Sequence, residues 1–128
     1  MAVTHDFLQY VLEQLAALEG VATRRMFGAV GLYCDGAFFG LIAGDVLYFK
    51  VNDGNRSDYE ARGMVQFRPY RDRPRVSMSY YEVPAEVLED AEECVIWARR
   101  SVIIANSPMM RRTSRSSKPK RRARVAKR

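Results

Sequence analysis

The sequence predicts an α+β domain. It is a two-layer fold with an antiparallel sheet of about five strands flanked by N- and C-terminal helices, in the order α-β-β-β-α-β-β-α, followed by a disordered basic tail. Three observations carry this expectation. Phe7, Val11, Leu15 and Leu18 recur at helical spacing near the start, and Leu88, Ala91, Val95, Ala98 and Val102 do so near the end. Between them lie short apolar runs separated by Asp35-Gly36 and Gly44-Asp45, residue pairs suited to turns between antiparallel strands. From Pro108 onward there are ten Lys or Arg and no acid, which is too little apolar content to fold.

In the first helix, read as 4–19, Leu8 and Leu12 widen the stripe, Thr4 is a suitable N-cap and Gly20 a suitable stop. Strands near 23–34, 37–43 and 46–51 form a meander, with Asp35-Gly36 the stronger hairpin signal. Two of these runs, "AFFGLIA" and "VLYFKV", are apolar on both faces, whereas a sheet with one solvated face alternates. The second face is therefore expected to be partly covered, by another element or by a partner subunit, a homodimer being the simplest case. "NDGNRSDYEARG" reads as a turn and a short helix over 57–62, and two further strands are expected near 65–68 and 76–83. Pro84 suits the first turn of a long final helix whose acids (Glu86, Glu89, Asp90, Glu92, Glu93) precede its bases (Arg99, Arg100), the order the helix dipole favours. The segment 106–108 ends it, dividing the chain into a folded body, 1–107, and a tail, 108–128.

With 128 residues there is room for one core. No apolar run is long enough to span a bilayer, and the first residues lack a basic region followed by an apolar stretch, so a cytoplasmic protein without membrane attachment is expected. Cys34 and Cys94 stand far apart with His5 the sole histidine, which writes neither a disulfide framework nor a metal site; both read as small buried hydrophobes. The glycines at 28, 31, 36, 40 and 44 match no phosphate-binding motif and precede no helix, so they read as turn and bulge residues, and no cofactor is expected. A catalytic Cys34 would need a thiolate-stabilising base or cation, for which Arg24, Arg25 and Lys50 are the candidates. A small thiol enzyme is the least favoured reading.

Charge is better placed to act. The net +6 divides unequally, because eleven bases against fifteen acids leave residues 1–107 at −4 while the tail carries +10. Arg111, Arg112, Arg115, Lys118, Lys120, Arg121, Arg122, Arg124, Lys127 and Arg128 would displace counterions from DNA or RNA and bind it without reading sequence. A solubilising extension, an arm for an acidic protein or a nuclear address are the alternatives. Arg68, Arg71, Arg73 and Arg75 surround Tyr70 in "FRPYRDRPR", a pattern that clamps phosphate and stacks on a base, or else pairs with Asp72 and the acidic helix. Arg24 and Arg25, entering the first strand, suit either surface ion pairs or recognition of a partner.

"RRMFGAVGLYCDGAFFGLIAGDVLYFKV", "YEARGM", "FRPY", "MSYYEVPAEVLED" and "WARR" occur in this order. Over about 5–105 the chain thereby resembles the N-terminal domain of the TfoX/Sxy family, bacterial regulators of competence genes. Arg24, Arg25, Met26, Phe27 and Gly28 match the family's opening motif, with Ala29 where a second glycine is common, and residues 80–84 match its Y-Y-E-V-P. The resemblance implies an antiparallel sheet flanked by helices. It also implies a regulatory role without catalysis, alongside a transcription factor such as the cyclic-AMP receptor protein. Longer members carry a second, helical domain where this chain has its basic tail. The expected activity is thus that of a competence-type regulator or transcriptional coactivator, with Arg24, Arg25, Phe27, Arg68, Tyr70, Arg71, Arg73 and Arg75 contacting the partner and the tail contacting DNA. A general nucleic-acid-binding accessory protein without such a partner is the alternative.

Overall fold

The computed structural model describes residues 3–68 and 79–106. The tail cations, and Tyr70, Arg71, Arg73 and Arg75, lie outside the described residues. The elements are α1 (His5–Gln14), β1 (Val21–Met26), β2 (Ala29–Cys34), β3 (Ala37–Ala43), β4 (Val46–Lys50), α2 (Arg56–Glu60), β5 (Tyr80–Glu82), α3 (Ala85–Leu88) and α4 (Ala91–Ala105). The α+β class is the one expected: a five-stranded antiparallel sheet in the order β1-β2-β3-β4-β5, with helices from both ends of the body. Among the described residues no helix is long and apolar enough to cross a membrane.

The helical layer covers one face of the sheet. Val11 and Leu15 from the N-terminal segment, and Cys94, Val95, Trp97 and Ala98 from α4, pack on Val30, Leu32, Phe39, Ile42, Leu47 and Phe49. Burial of this apolar surface is the main stabilising term. Thr4 caps α1 as expected, its hydroxyl accepting from the Phe7 N–H at 3.2 Å. The helix ends at Gln14 rather than near 19, and i→i+3 turns keep Leu15 and Leu18 directed inward. The final helix is interrupted where a single long one was expected. The Asp90 carboxylate accepts from the Glu92 and Glu93 N–H groups and starts α4 afresh, and the Leu88 carbonyl left over at the break accepts from Gln14 Nε2 at 2.8 Å.

Two features of the sheet differ from simple alternation. The run expected as one strand over 23–34 is a hairpin, folded at Phe27-Gly28. In β3 the register shifts so that Leu32 faces Gly40 and Tyr33 faces Phe38, leaving Phe39 as the extra residue of a bulge. Phe39 then joins the helix-side core, while Phe38 joins the opposite face, stacked on Tyr33 at 5.0 Å and set 5.4 Å from Tyr80. That opposite face is the apolar second face. Phe67, from the segment after α2, packs against it 4.8 Å from Tyr48, so part of the cover comes from the same chain. The strand expected over 65–68 forms a bridge of Gln66 to Tyr81 with flanking bonds (Phe67 N–H to Tyr80 O, Glu82 N–H to Val65 O).

On α2, Tyr59 is fully buried and edge-on to Trp97 of α4 at 4.8 Å. Its hydroxyl has no hydrogen-bond partner among the described residues, and burial pushes its pKa up. Ser101 opposes that shift, yet the Ser101 hydroxyl is committed as donor to Lys50 O at 2.8 Å. An unpaired buried hydroxyl costs about 1–3 kcal/mol. Tyr59→Phe is accordingly expected to leave stability unchanged or raise it by up to about 1 kcal/mol, read as the urea midpoint. A clear loss would mean that the hydroxyl is bonded.

Candidate partner-binding site

The site is built on the β1–β2 hairpin. Positive φ at both central residues of a two-residue loop gives the type I′ turn whose twist matches paired strands, and it normally selects Asn, Asp or Gly. Asp35-Gly36 (φ 50°, 87°) and Gly44-Asp45 (φ 58°, 56°) obey that preference. Phe27-Gly28 (φ 50°, 79°) does not, because a bulky side chain occupies the left-handed region at Phe27. Phe27 is also fully exposed, at 101% of its reference area. Two unfavourable choices therefore coincide at one residue, and no contact among the described residues offsets them.

Arg24 and Arg25 precede it on β1, at the edge of the sheet, and both are exposed. Arg25 stands opposite Val30, on the helix side; Arg24 stands opposite Gly31, on the aromatic side, where the Met26 methyl lies 2.8 Å from the position a Gly31 Cβ would take. The two cations thus leave the strand on opposite faces. The ion pairs of the described residues use Arg56, Arg62 and Arg100, with Asp53, Glu86 and Asp58, and none involves Arg24 or Arg25. Surface pairing, one of the two expectations for these arginines, is absent among the described residues.

The other expected contact does not join them. Arg68 is exposed beside β5, at the opposite edge of the sheet, so four strand spacings or more, roughly 20 Å, separate it from the hairpin. What sequence reading missed is the turn itself: Phe27-Gly28 lacks the polar first residue that marks Asp35-Gly36, and only the following glycine signals it.

Cys34 is buried at the end of β2, with its thiol donating to Glu19 O at 3.2 Å. Burial, then the neighbouring Asp35 carboxylate, push its pKa up, the reverse of what an activated thiolate needs. Cys94, in the core beneath α4, is pushed up to about 12 by burial. His5 is exposed on the first turn of α1. Among the described residues no group of three or more His, Cys, Asp or Glu is placed to hold a metal ion.

Comparison with known families gives one result that bears on this geometry. The sequence model described as the TfoX N-terminal domain matches residues 13–105, a span that runs from within α1 to the end of α4 and includes the whole hairpin. No curated protein matches the chain.

Proposed function

Since the chain belongs to the TfoX N-terminal domain family, we propose that it is a non-enzymatic regulatory protein of the competence type. In this reading the hairpin contacts a transcription factor of the cyclic-AMP receptor protein kind, and the basic tail holds the assembly on DNA. The observation that carries the partner contact is Phe27, fully exposed in a left-handed conformation and preceded by Arg24 and Arg25 without ion pairs among the described residues. A rigid aromatic with flanking guanidinium groups is the composition of an interface anchor. The tail supplies attraction to phosphates and the hairpin supplies choice of partner. Linking two weak contacts raises the effective concentration of each.

The reading predicts a trade between stability and binding at one residue. Phe27→Asn converts the turn to Asn-Gly and is expected to stabilise the domain by about 1 kcal/mol, measured by thermal unfolding, while weakening the partner contact. A variant that is neither more stable nor weaker in binding would remove Phe27 from the site.

The function itself is tested by duplex DNA binding of the full chain with and without the cyclic-AMP receptor protein, on promoter and non-promoter fragments. Promoter preference that appears only with the receptor and is lost in Phe27→Asn supports the regulator. The +10 tail favours a second reading, a general nucleic-acid accessory protein. In that case the receptor adds nothing and the tail peptide alone keeps most of the affinity.

A further inference from the structure

The two edges of the sheet are finished differently. Beyond β5, residues 65–67 continue the ladder, with Phe67 N–H to Tyr80 O at 2.7 Å and Glu82 N–H to Val65 O at 3.0 Å. Beyond β1 no described residue does so. The groups left facing outward follow from the register. Gly20 O accepts from Asp35 N–H, so the pair 20/35 and each second pair after it (22/33, 24/31, 26/29) bond inward. Val21, Thr23 and Arg25 therefore turn their N–H and C=O groups to the open side.

We propose that this edge takes an extended acidic segment of a partner protein as an added strand, with Phe27 as its apolar anchor. The proposal rests on reading the hairpin as a partner surface and names the chemistry of what binds there. Main-chain groups in a row select an extended peptide, which completes the ladder by backbone bonds alone. Arg24 and Arg25 select its side chains. Being adjacent, they project to opposite faces, so two successive acidic residues of an added strand meet one arginine each. The same charges disfavour a second copy of this chain, because self-pairing centred on the Thr23 and Arg25 groups sets arginine against arginine. Two cations are too few to hold a nucleic acid, whose affinity grows with each phosphate neutralised.

The test uses the full chain and a fluorescent decapeptide of Thr and Val with two successive Glu at its centre. A Lys-Lys counterpart and a backbone N-methylated counterpart serve as controls. Because the tail also attracts acidic peptides, the readout is local: hydrogen exchange at the Thr23 and Arg25 amides, together with the response to Thr23→Pro. That substitution removes an outward N–H and leaves the β1–β2 bonds intact, as proline on an edge strand allows. The expected result is slower exchange at both amides with the Glu-Glu peptide. The peptide concentration that half-protects Arg25 should rise about tenfold for the Lys-Lys peptide and in Thr23→Pro, while Thr23→Val leaves it unchanged. Undiminished protection by the Lys-Lys or N-methylated peptide, or in Arg25 of Thr23→Pro, would overturn the proposal. So would protection of these amides by duplex DNA in place of the peptide. Receptor-dependent promoter binding is scored separately: if it holds while the peptide leaves β1 unprotected, the edge proposal fails and the regulatory reading stands.

Discussion

Alanine at Gly40 is expected to destabilise the domain by about 2 kcal/mol, measured by urea unfolding followed through Trp97 fluorescence. A Cβ at this position would stand 2.8 Å from the backbone oxygen of Tyr48 and 3.0 Å from Phe49 Cδ1. Neither neighbour can retreat cheaply. The first belongs to the β3–β4 ladder, in which Gly40 pairs with Phe49, and the second is a ring with no exposure, held 5.9 Å from Phe39. Gly31 provides the control. A Cβ there is also crowded, at 2.8 Å from Met26 Cε and 3.1 Å from Tyr33 Cε1, but these are the far ends of side chains on a half-open face. Gly31→Ala is therefore expected to cost less than half as much. Equal losses at the two sites would refute the argument from backbone contact.

The second large effect is expected in DNA binding, the role proposed for the tail. Replacing the ten tail cations by Gln leaves only the folded body, which is net −4, and binding at low salt should fall by about a thousandfold or more. For the unmodified chain, six or more phosphate contacts imply a loss of about 10³-fold or more between 50 and 200 mM salt. Each cation removed should flatten the double-logarithmic salt slope by about 0.9, in whatever order the replacements are made. An all-or-none loss on removing a single arginine would instead mean a built site that reads one contact, and a salt-independent affinity would dismiss the phosphate reading.

The fold was legible where one residue type has one physical use. Asp35-Gly36 announces its turn and Thr4 its helix start, whereas of the stripe Leu88, Ala91, Val95, Ala98 and Val102 only Val95 and Ala98 are fully buried and Ala91 is exposed, because α4 starts afresh at Asp90 and turns Cys94, Trp97, Ser101 and Ile104 inward as well. Elsewhere a second use was chosen. Asp90 reads as one acid among several favouring the helix dipole, but it serves as the cap that divides α3 from α4. "AFFGLIA" lacks alternation partly because the bulge places Phe39 and Gly40 on the same side. At the candidate site, sequence supplied Arg24, Arg25 and Phe27 but hid their geometry, since a phenylalanine is a poor advertisement for a left-handed turn. The separation of Arg68 from the hairpin depends on strand order, which no local pattern encodes.

The three two-residue hairpins in series also bear on how the chain reaches this fold. Each strand from β1 to β4 finds its neighbour across a loop of two residues, so these pairings cost little closure entropy and can zip one after another. The fifth strand has a different history. Its contact runs from Lys50 to Tyr80 across α2 and everything up to residue 79, a much longer closure that comes late. Until it closes, the edge of β4 is bare as well as that of β1, and β4 carries Leu47 and Phe49, which are destined for the core. The nascent protein is thus sticky at the edge opposite the one the finished protein leaves open.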